Sequence, residues 1–260
     1  MSTTLFAHHE FAFIAGVHRS GTSLVHELLR AHPEISGFKD TPAYMEDEGQ
    51  FLQSVYPRGE VFGGPGRFAF SPDSHMTEEH PLTTRENAQT LFSQWSQYWD
   101  LRCPVLIEKS PPNIVRTRFL QALFPNTRFI VILRHPVAVA YATQKWSHTS
   151  ILSIIDHTLT AYEQFLRDRP ALRQSLLIHY EDFVLAPQKL LDEMLDFLGL
   201  PSIPLDRPVQ QDVNARYFEQ WQSDRRKFWK PVPRRLPKAL EPRARALGYS
   251  LESLERVEPG

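Results

Sequence analysis

The chain has 260 residues, 42% of them hydrophobic and 23% charged, with a formal net charge of -1. Those values suit a single globular domain over residues 1–260 with a sizeable core. They remove the bulk electrostatic case for a nucleic-acid partner. Cys103 is the only cysteine, so no intrachain disulfide forms. The opening MSTTLFAHHEFAFIAG lacks the basic and apolar regions of a secretory leader, and no later run approaches a membrane span. The expectation is a cytoplasmic chain with no membrane partner.

In chain order, Phe11 to Ala15 is a short apolar run ending at Gly16. Leu24, Val25, Leu28 and Leu29 then form one face of a helix that stops before Pro33. From Phe38 to about Pro81 the chain is rich in Gly, Pro, Asp and Glu, which predicts loops and short helices; Glu46, Asp47 and Glu48 read as a solvated acidic run. Thr83 to Tyr98 predicts a helix, PVLIEK a strand, and Asn113 to Phe124 an amphipathic helix stopped by Pro125. RFIVIL, Arg128 to Leu133, is the strongest buried strand. Val137 to Trp146 is a helix with Pro136 near its first turn, and Ile151 to Arg167 another. SLLIHY is a strand, and Pro187 to Leu198 a helix with Gly199 at its C-cap. After Leu205 the pattern fades into a basic, Pro-rich tail. Alternating strands and helices predict an α/β fold, three layers α/β/α around a central parallel sheet, of P-loop-like type.

The stretch GVHRSGTS, Gly16 to Ser23, sits between the first strand and its helix. Backbone N–H groups at such a turn face an anion. Gly16 and Gly21 permit a tight turn, Ser20, Thr22 and Ser23 add hydroxyl donors, and Arg19 a fixed positive charge. A nucleotide-hydrolysing loop would carry Lys at position 22, where this chain has Thr. The loop therefore suits a phosphate or sulfate but not a β/γ-phosphate grip. Arg134 follows the RFIVIL strand and Lys109 ends PVLIEK, so three strand ends each deliver a cation to the edge where open α/β sheets bind ligands.

Three segments in order resemble the PAPS-dependent sulfotransferases, where PAPS is 3′-phosphoadenosine-5′-phosphosulfate. They are GVHRSGTSLVHELLRAHPEI, EKSPPNIVRTRFLQALFPNTRFIVILRHPVAVA and HYEDFVLAPQKLLDEMLDFLGLP, together spanning roughly residues 11 to 201. The resemblance implies that the loop residues His18, Arg19, Ser20, Gly21, Thr22 and Ser23 contact the 5′-phosphosulfate, that Arg134 binds the 3′-phosphate, and that Tyr180 lies near the adenine. It implies a hydroxyl-bearing acceptor and no metal. Position 142 is Ala where the family usually has a Ser for the 3′-phosphate; Thr143, Ser147, Arg216 and Arg225 are the candidate substitutes. RAHPEISGFKDTPAY resembles the tyrosylprotein branch, whose base matches Asp40, so Arg19, Lys109 and Asp40 are the expected catalytic residues. Residues 38–85 are expected to bind the acceptor, and residues 206–260 to close over the cofactor.

His18, His75 and His80 read as structural or exposed with respect to base catalysis, and the spacing of His8, His9 and Glu10 matches no standard metal site. Tyr217, Phe218, Trp221, Phe228 and Trp229 interleave with basic residues, which the near-neutral total charge assigns to a docked tail and not to nucleic acid. Two other readings stay open. One is a small-molecule kinase, which needs Lys at position 22 and a Mg²⁺-binding acid. The other is a non-catalytic nucleotide-binding protein, which Ala142 favours.

Overall fold

The computed structural model describes residues 8–42, 47–227 and 236–258. Strand β1 (Glu10–Ala15) is buried on both faces: Phe11, Phe13 and Ala15 join one apolar cluster, Ala12 and Ile14 the other. A strand apolar on both sides belongs in the middle of a sheet covered twice. The remaining strands are β2 (Ile35–Ser36), β3 (Val105–Lys109), β4 (Thr127–Leu133) and β5 (Ser175–His179). They lie in the order β2-β3-β1-β4-β5, all parallel. In register, Phe11 faces Leu106 on β3 and Thr127 on β4.

The helices are α1 (Thr22–Leu29), α2 (Arg85–Trp95), α3 (Thr117–Leu123), α4 (Pro136–Ser147), α5 (Ile151–Asp168), α6 (Tyr180–Leu185), α7 (Pro187–Phe197), α8 (Ala215–Arg226) and α9 (Leu240–Ala246). Val25 and Leu28 of α1, Phe183 of α6 and Met194 of α7 cover one face of the sheet. Trp95 of α2, Phe119 of α3, Val137 of α4 and Tyr162 of α5 cover the other. The three-layer α/β/α architecture read from the sequence is the one observed.

Local chemistry explains the ends. The Thr84 hydroxyl accepts the Asn87 N–H at 3.2 Å to start α2, and Ser150 accepts that of Ser153 at 3.1 Å to start α5. Gly199, at φ 73, ends α7 as expected, with its N–H on Asp196 O and that of Leu200 on Leu195 O.

Two expectations need correction. The helix read over Asn113–Phe124 divides into a 3₁₀ turn, Pro111–Val115, and α3, because Arg116 leaves helical geometry at φ -130. Its guanidinium is buried, 5.2 Å from the Tyr56 ring centroid. The segment after Leu205 is not a featureless tail: it forms α8 and α9, and Trp221 is fully buried with its indole N–H on Leu251 O at 3.2 Å. Only Trp221 and Asp224 of α8 are buried, too few to leave an apolar period. Glu46, Phe228 and Trp229 lie outside the described residues.

Candidate active site

β1 runs into Gly16, and the chain turns over residues 16–21 into α1. A Cβ at Gly16 would lie 2.4 Å from Ser20 Oγ and 2.7 Å from Ile132 O, so only glycine fits without a shift. Gly21 closes the turn at φ 110, and a Cβ there would lie 2.6 Å from the Tyr180 ring. The N–H groups of Thr22, Ser23 and Leu24 begin α1 and have no intrahelical acceptor. Ser20 is fully buried, and among the described residues its Oγ has no hydrogen-bond partner. A buried hydroxyl left unpaired costs free energy unless a ligand or water meets it.

Arg134 leaves the end of β4 and is 5% exposed. Its Nη1 donates to Arg19 O at 2.7 Å; its Nε and Nη2 both donate to Asn214 Oδ1, at 2.9 and 2.7 Å. The guanidinium lies 4.2 Å from the Tyr180 ring centroid. Asn214 is held in turn: its Nδ2 donates to Glu181 Oε1 at 2.8 Å, which also accepts the His135 N–H at 2.9 Å. Tyr249 OH donates to Glu181 Oε2 at 3.2 Å. The segment before α8 thus reaches the sheet edge. Burial pushes the Tyr180 phenol up, which keeps it a neutral donor.

One cleft of about 540 Å³ is lined by His18, Arg19, Gly21, Thr22, Ser23, Arg134, Trp146, Tyr180 and Val213 among others. Arg19 adopts φ 66, and its guanidinium lies 5.1 Å from the ring of the partly exposed Trp146. The His18 ring packs edge-on against Phe68, and burial, with the Lys109 and Arg19 charges, pushes its imidazole down to about 3. It is neutral and a weak base.

Glu48, Phe51, Glu60, Pro65 and Pro111 line the same cleft. Lys109, 2% exposed at the end of β3, places Nζ 3.1 Å from Glu48 Oε1. Lys109 itself lines a neighbouring cavity of about 360 Å³ with His26, Arg30, Thr41 and Asp47; Ser23 lines both spaces.

The structure therefore gathers His18, Arg19, Gly21, Thr22, Ser23, Arg134 and Tyr180 at one cleft, while Ser20 is buried within the loop and Lys109, which lines the neighbouring cavity, contacts Glu48 of the cleft. It does not bring Asp40 there. Asp40 is exposed at φ 58 beyond β2 and lines neither space. The reading of Asp47 and Glu48 as a solvated run is corrected: Asp47 pairs with Arg30 at 3.0 Å, and Glu48 is 5% exposed. Of the residues considered in place of a Ser at Ala142, Thr143 Oγ1 bonds His18 O, Ser147 Oγ bonds Gln144 O, Arg216 bonds Tyr217 OH and Arg225 lies over Trp221. None of them lines the cleft. Asn214 is the residue that meets Arg134, and the sequence reading missed it. His75 pairs with Asp168, His80 Nδ1 accepts the Leu82 N–H, and Glu10 pairs with Arg128, all structural roles.

Comparison with known proteins gives the chain's family and fold. A model of the sulfotransferase family matches residues 12–204. Protein-tyrosine sulfotransferase 1 of Danio rerio is 24% identical over 202 residues, 73% of this chain and 53% of that protein. Protein-tyrosine sulfotransferase A of Caenorhabditis elegans is 24% identical over 205 residues, 74% and 50% of the two chains. The chain thus spans about half the length of the curated relatives it matches. The sulfotransferase domain from the curacin biosynthetic pathway superposes with a TM-score of 0.55 at 17% identity, covering 94% of this chain and 99% of that one. A sulfotransferase from Alicyclobacillus acidocaldarius gives 0.51 at 18% identity, covering 83% and 92%. The structural likenesses carry the fold, and the family match carries the conclusion: the chain belongs to the sulfotransferase family.

Proposed function

We propose that the chain transfers a sulfuryl group from PAPS to a hydroxyl acceptor. The observation that carries this reading is the pairing of a glycine-tight loop holding an orphaned, buried Ser20 hydroxyl with a preset Arg134 guanidinium at the next strand end. The residues fit a nucleotide with anions at both ends of its ribose. Ser20, Thr22, Ser23 and the N–H groups beginning α1 would hold the 5′ phosphosulfate; Arg134, fixed by Asn214, would hold the 3′-phosphate. The Tyr180 and Trp146 rings flank the same cleft and suit the adenine.

PAPS supplies an activated sulfuryl group whose departure leaves charge on the 5′-phosphate. Arg19 and Lys109 are the fixed cations that meet such charge, and removing one donor of this kind costs about 3 kcal/mol, roughly a hundredfold in rate. The loop has Thr22 where a β/γ-phosphate grip has Lys.

The tyrosine in the relatives' names is a phenol. Phe51, Pro65 and Pro111, which line the cleft with Glu48, suit an aromatic ring. The test is transfer from ³⁵S-labelled PAPS to a mixed library of phenols, tyrosine peptides and sugars. The reading expects labelled product with the wild type and about a hundredfold less with Arg19→Ala. Stabilisation by ATP with Mg²⁺ but not by adenosine 3′,5′-bisphosphate would instead support a kinase.

A further inference from the structure

We propose that Glu48 takes the proton from the acceptor hydroxyl, and that its contact with Lys109 couples this proton to the charge building on the departing phosphate. The inference rests on the sulfuryl-transfer reading above and names the acceptor side of the same site.

A general base must reach the acceptor, be ionised and be held still. Glu48 is a buried carboxylate that lines the same cleft as the phosphate loop. Its backbone is clamped to the end of β3. The next N–H, that of Gly49, donates to Glu108 Oε1 at 2.9 Å, the Gln50 N–H donates to Ser110 Oγ at 3.0 Å, and the Trp95 indole donates to Gly49 O at 3.0 Å. A Cβ at Gly49 would lie 2.5 Å from Glu108 Oε1, so the approach requires glycine.

The carboxylate is held as well. Oε1 meets Lys109 Nζ at 3.1 Å, and Oε2 accepts Gln50 Nε2 at 2.7 Å. Gln50 is oriented by the Gly59 N–H on its Oε1 at 2.9 Å.

The other acids and the histidine serve less well. Asp40 does not line the cleft, and Glu27 is exposed and paired with Arg207 at 3.0 Å. Glu60 is exposed at the rim, and His18 lies inside the phosphate loop itself.

The step balances. The acceptor oxygen bonds to sulfur as the sulfur–oxygen bond to the 5′-phosphate breaks, and the electron pair of that bond stays on the phosphate oxygen. The hydroxyl proton moves to Glu48 and is later lost to water. The products are a sulfate ester and adenosine 3′,5′-bisphosphate. Protonated Glu48 attracts Lys109 less, so the ammonium turns toward the phosphate oxygen as that oxygen gains charge.

The experiment compares wild type, Glu48→Gln and Glu48→Asp with a graded series from 4-methylphenol to 4-nitrophenol. All three are first checked for thermal unfolding and for adenosine 3′,5′-bisphosphate affinity, so that rates are compared at saturating donor; Glu48→Gln, which frees Lys109, should bind the bisphosphate at least as tightly as the wild type. Glu48→Gln should slow transfer to 4-methylphenol by about 10²–10⁴-fold, and to the more acidic 4-nitrophenol by less than about tenfold. Glu48→Asp should lose less than Glu48→Gln.

A second readout needs no turnover. With the bisphosphate bound, 4-nitrophenol in the cleft donates its proton toward Glu48. Glu48→Gln should lower its apparent pKa by about one unit, read from the nitrophenolate absorbance. An equal loss across the phenol series, or an unchanged bound-phenol titration, overturns the assignment. A wild type that binds bisphosphate yet transfers to no phenol counts against the functional reading, and the absorbance titration then still decides the place of Glu48.

Discussion

Arg134 and Asn214 are joined by two hydrogen bonds to one oxygen, Nε and Nη2 of the guanidinium to Oδ1 at 2.9 and 2.7 Å. The contact spans 80 residues of sequence and ties the end of β4 to the segment preceding α8. It aims a charged fork before any ligand arrives, which reduces the ordering cost of binding. Replacing Arg134 by Lys keeps the charge and loses the fork. Affinity for adenosine 3′,5′-bisphosphate should fall by tenfold or more, about 1.4 kcal/mol or above. Adenosine 5′-monophosphate, which lacks the 3′-phosphate, should bind both proteins alike in a calorimetric titration.

Ser20 offers a sharper contrast between stability and binding. Its buried Oγ has no partner among the described residues, so Ser20→Ala removes an unsatisfied group. Thermal unfolding of the free protein should be unchanged or slightly improved. Bisphosphate stabilisation should drop, by about 1 kcal/mol in binding free energy. A thermal-shift titration of the two proteins reads both quantities at once.

Gly21→Ala tests the loop geometry itself. The position needs φ 110 and leaves no space beside the Tyr180 ring. Strain of this kind costs about 1–3 kcal/mol. The variant should therefore melt lower than the wild type and bind the bisphosphate more weakly.

Acid should unfold the protein early. Burial pushes the imidazoles of His26, His135 and His157 down to about 3, 4 and 3. Each is neutral when folded, while the unfolded chain takes up a proton below about pH 6.5. Their contribution is full above that pH and is lost as pH falls toward the folded values. At pH 5 each costs about 2 kcal/mol, together a large share of the roughly 5–15 kcal/mol that holds a domain. Glu108 runs the other way: burial pushes its carboxyl up to about 7, so its contribution shrinks as pH rises from 4.5 to 7. One carboxyl against these imidazoles, and the likewise depressed His18 and His179, leaves net loss on acidification. His157→Leu removes an imidazole whose Nε2 has no partner among the described residues and should shift the acid midpoint, followed by circular dichroism, to lower pH.

Much of this was legible because the sequence pattern and the physical constraint coincide. Phe129–Leu133 is a continuous apolar run because β4 is covered on both faces, and Gly199 stands where α7 needs a positive φ. The phosphate loop showed itself through two glycines that the packing requires. β2 did not, since two residues carry no period. Glu48 was hidden because an acidic run looks solvated until its neighbours are known; the burial comes from Gly49 lying against Glu108, 59 residues away. Asn214 was hidden for the same reason, because an isolated amide in a polar segment carries no local sign of the distant guanidinium it holds.

The central claim is that one cleft holds a nucleotide with phosphates at both the 3′ and 5′ positions. Calorimetric titration with adenosine 3′,5′-bisphosphate and with adenosine 5′-diphosphate tests it most directly, since the two differ in where the second phosphate sits. The account predicts at least about tenfold tighter binding of the 3′,5′-bisphosphate, with the preference abolished in Arg134→Ala. Equal binding of the two, or tighter binding of the 5′-diphosphate, would contradict it.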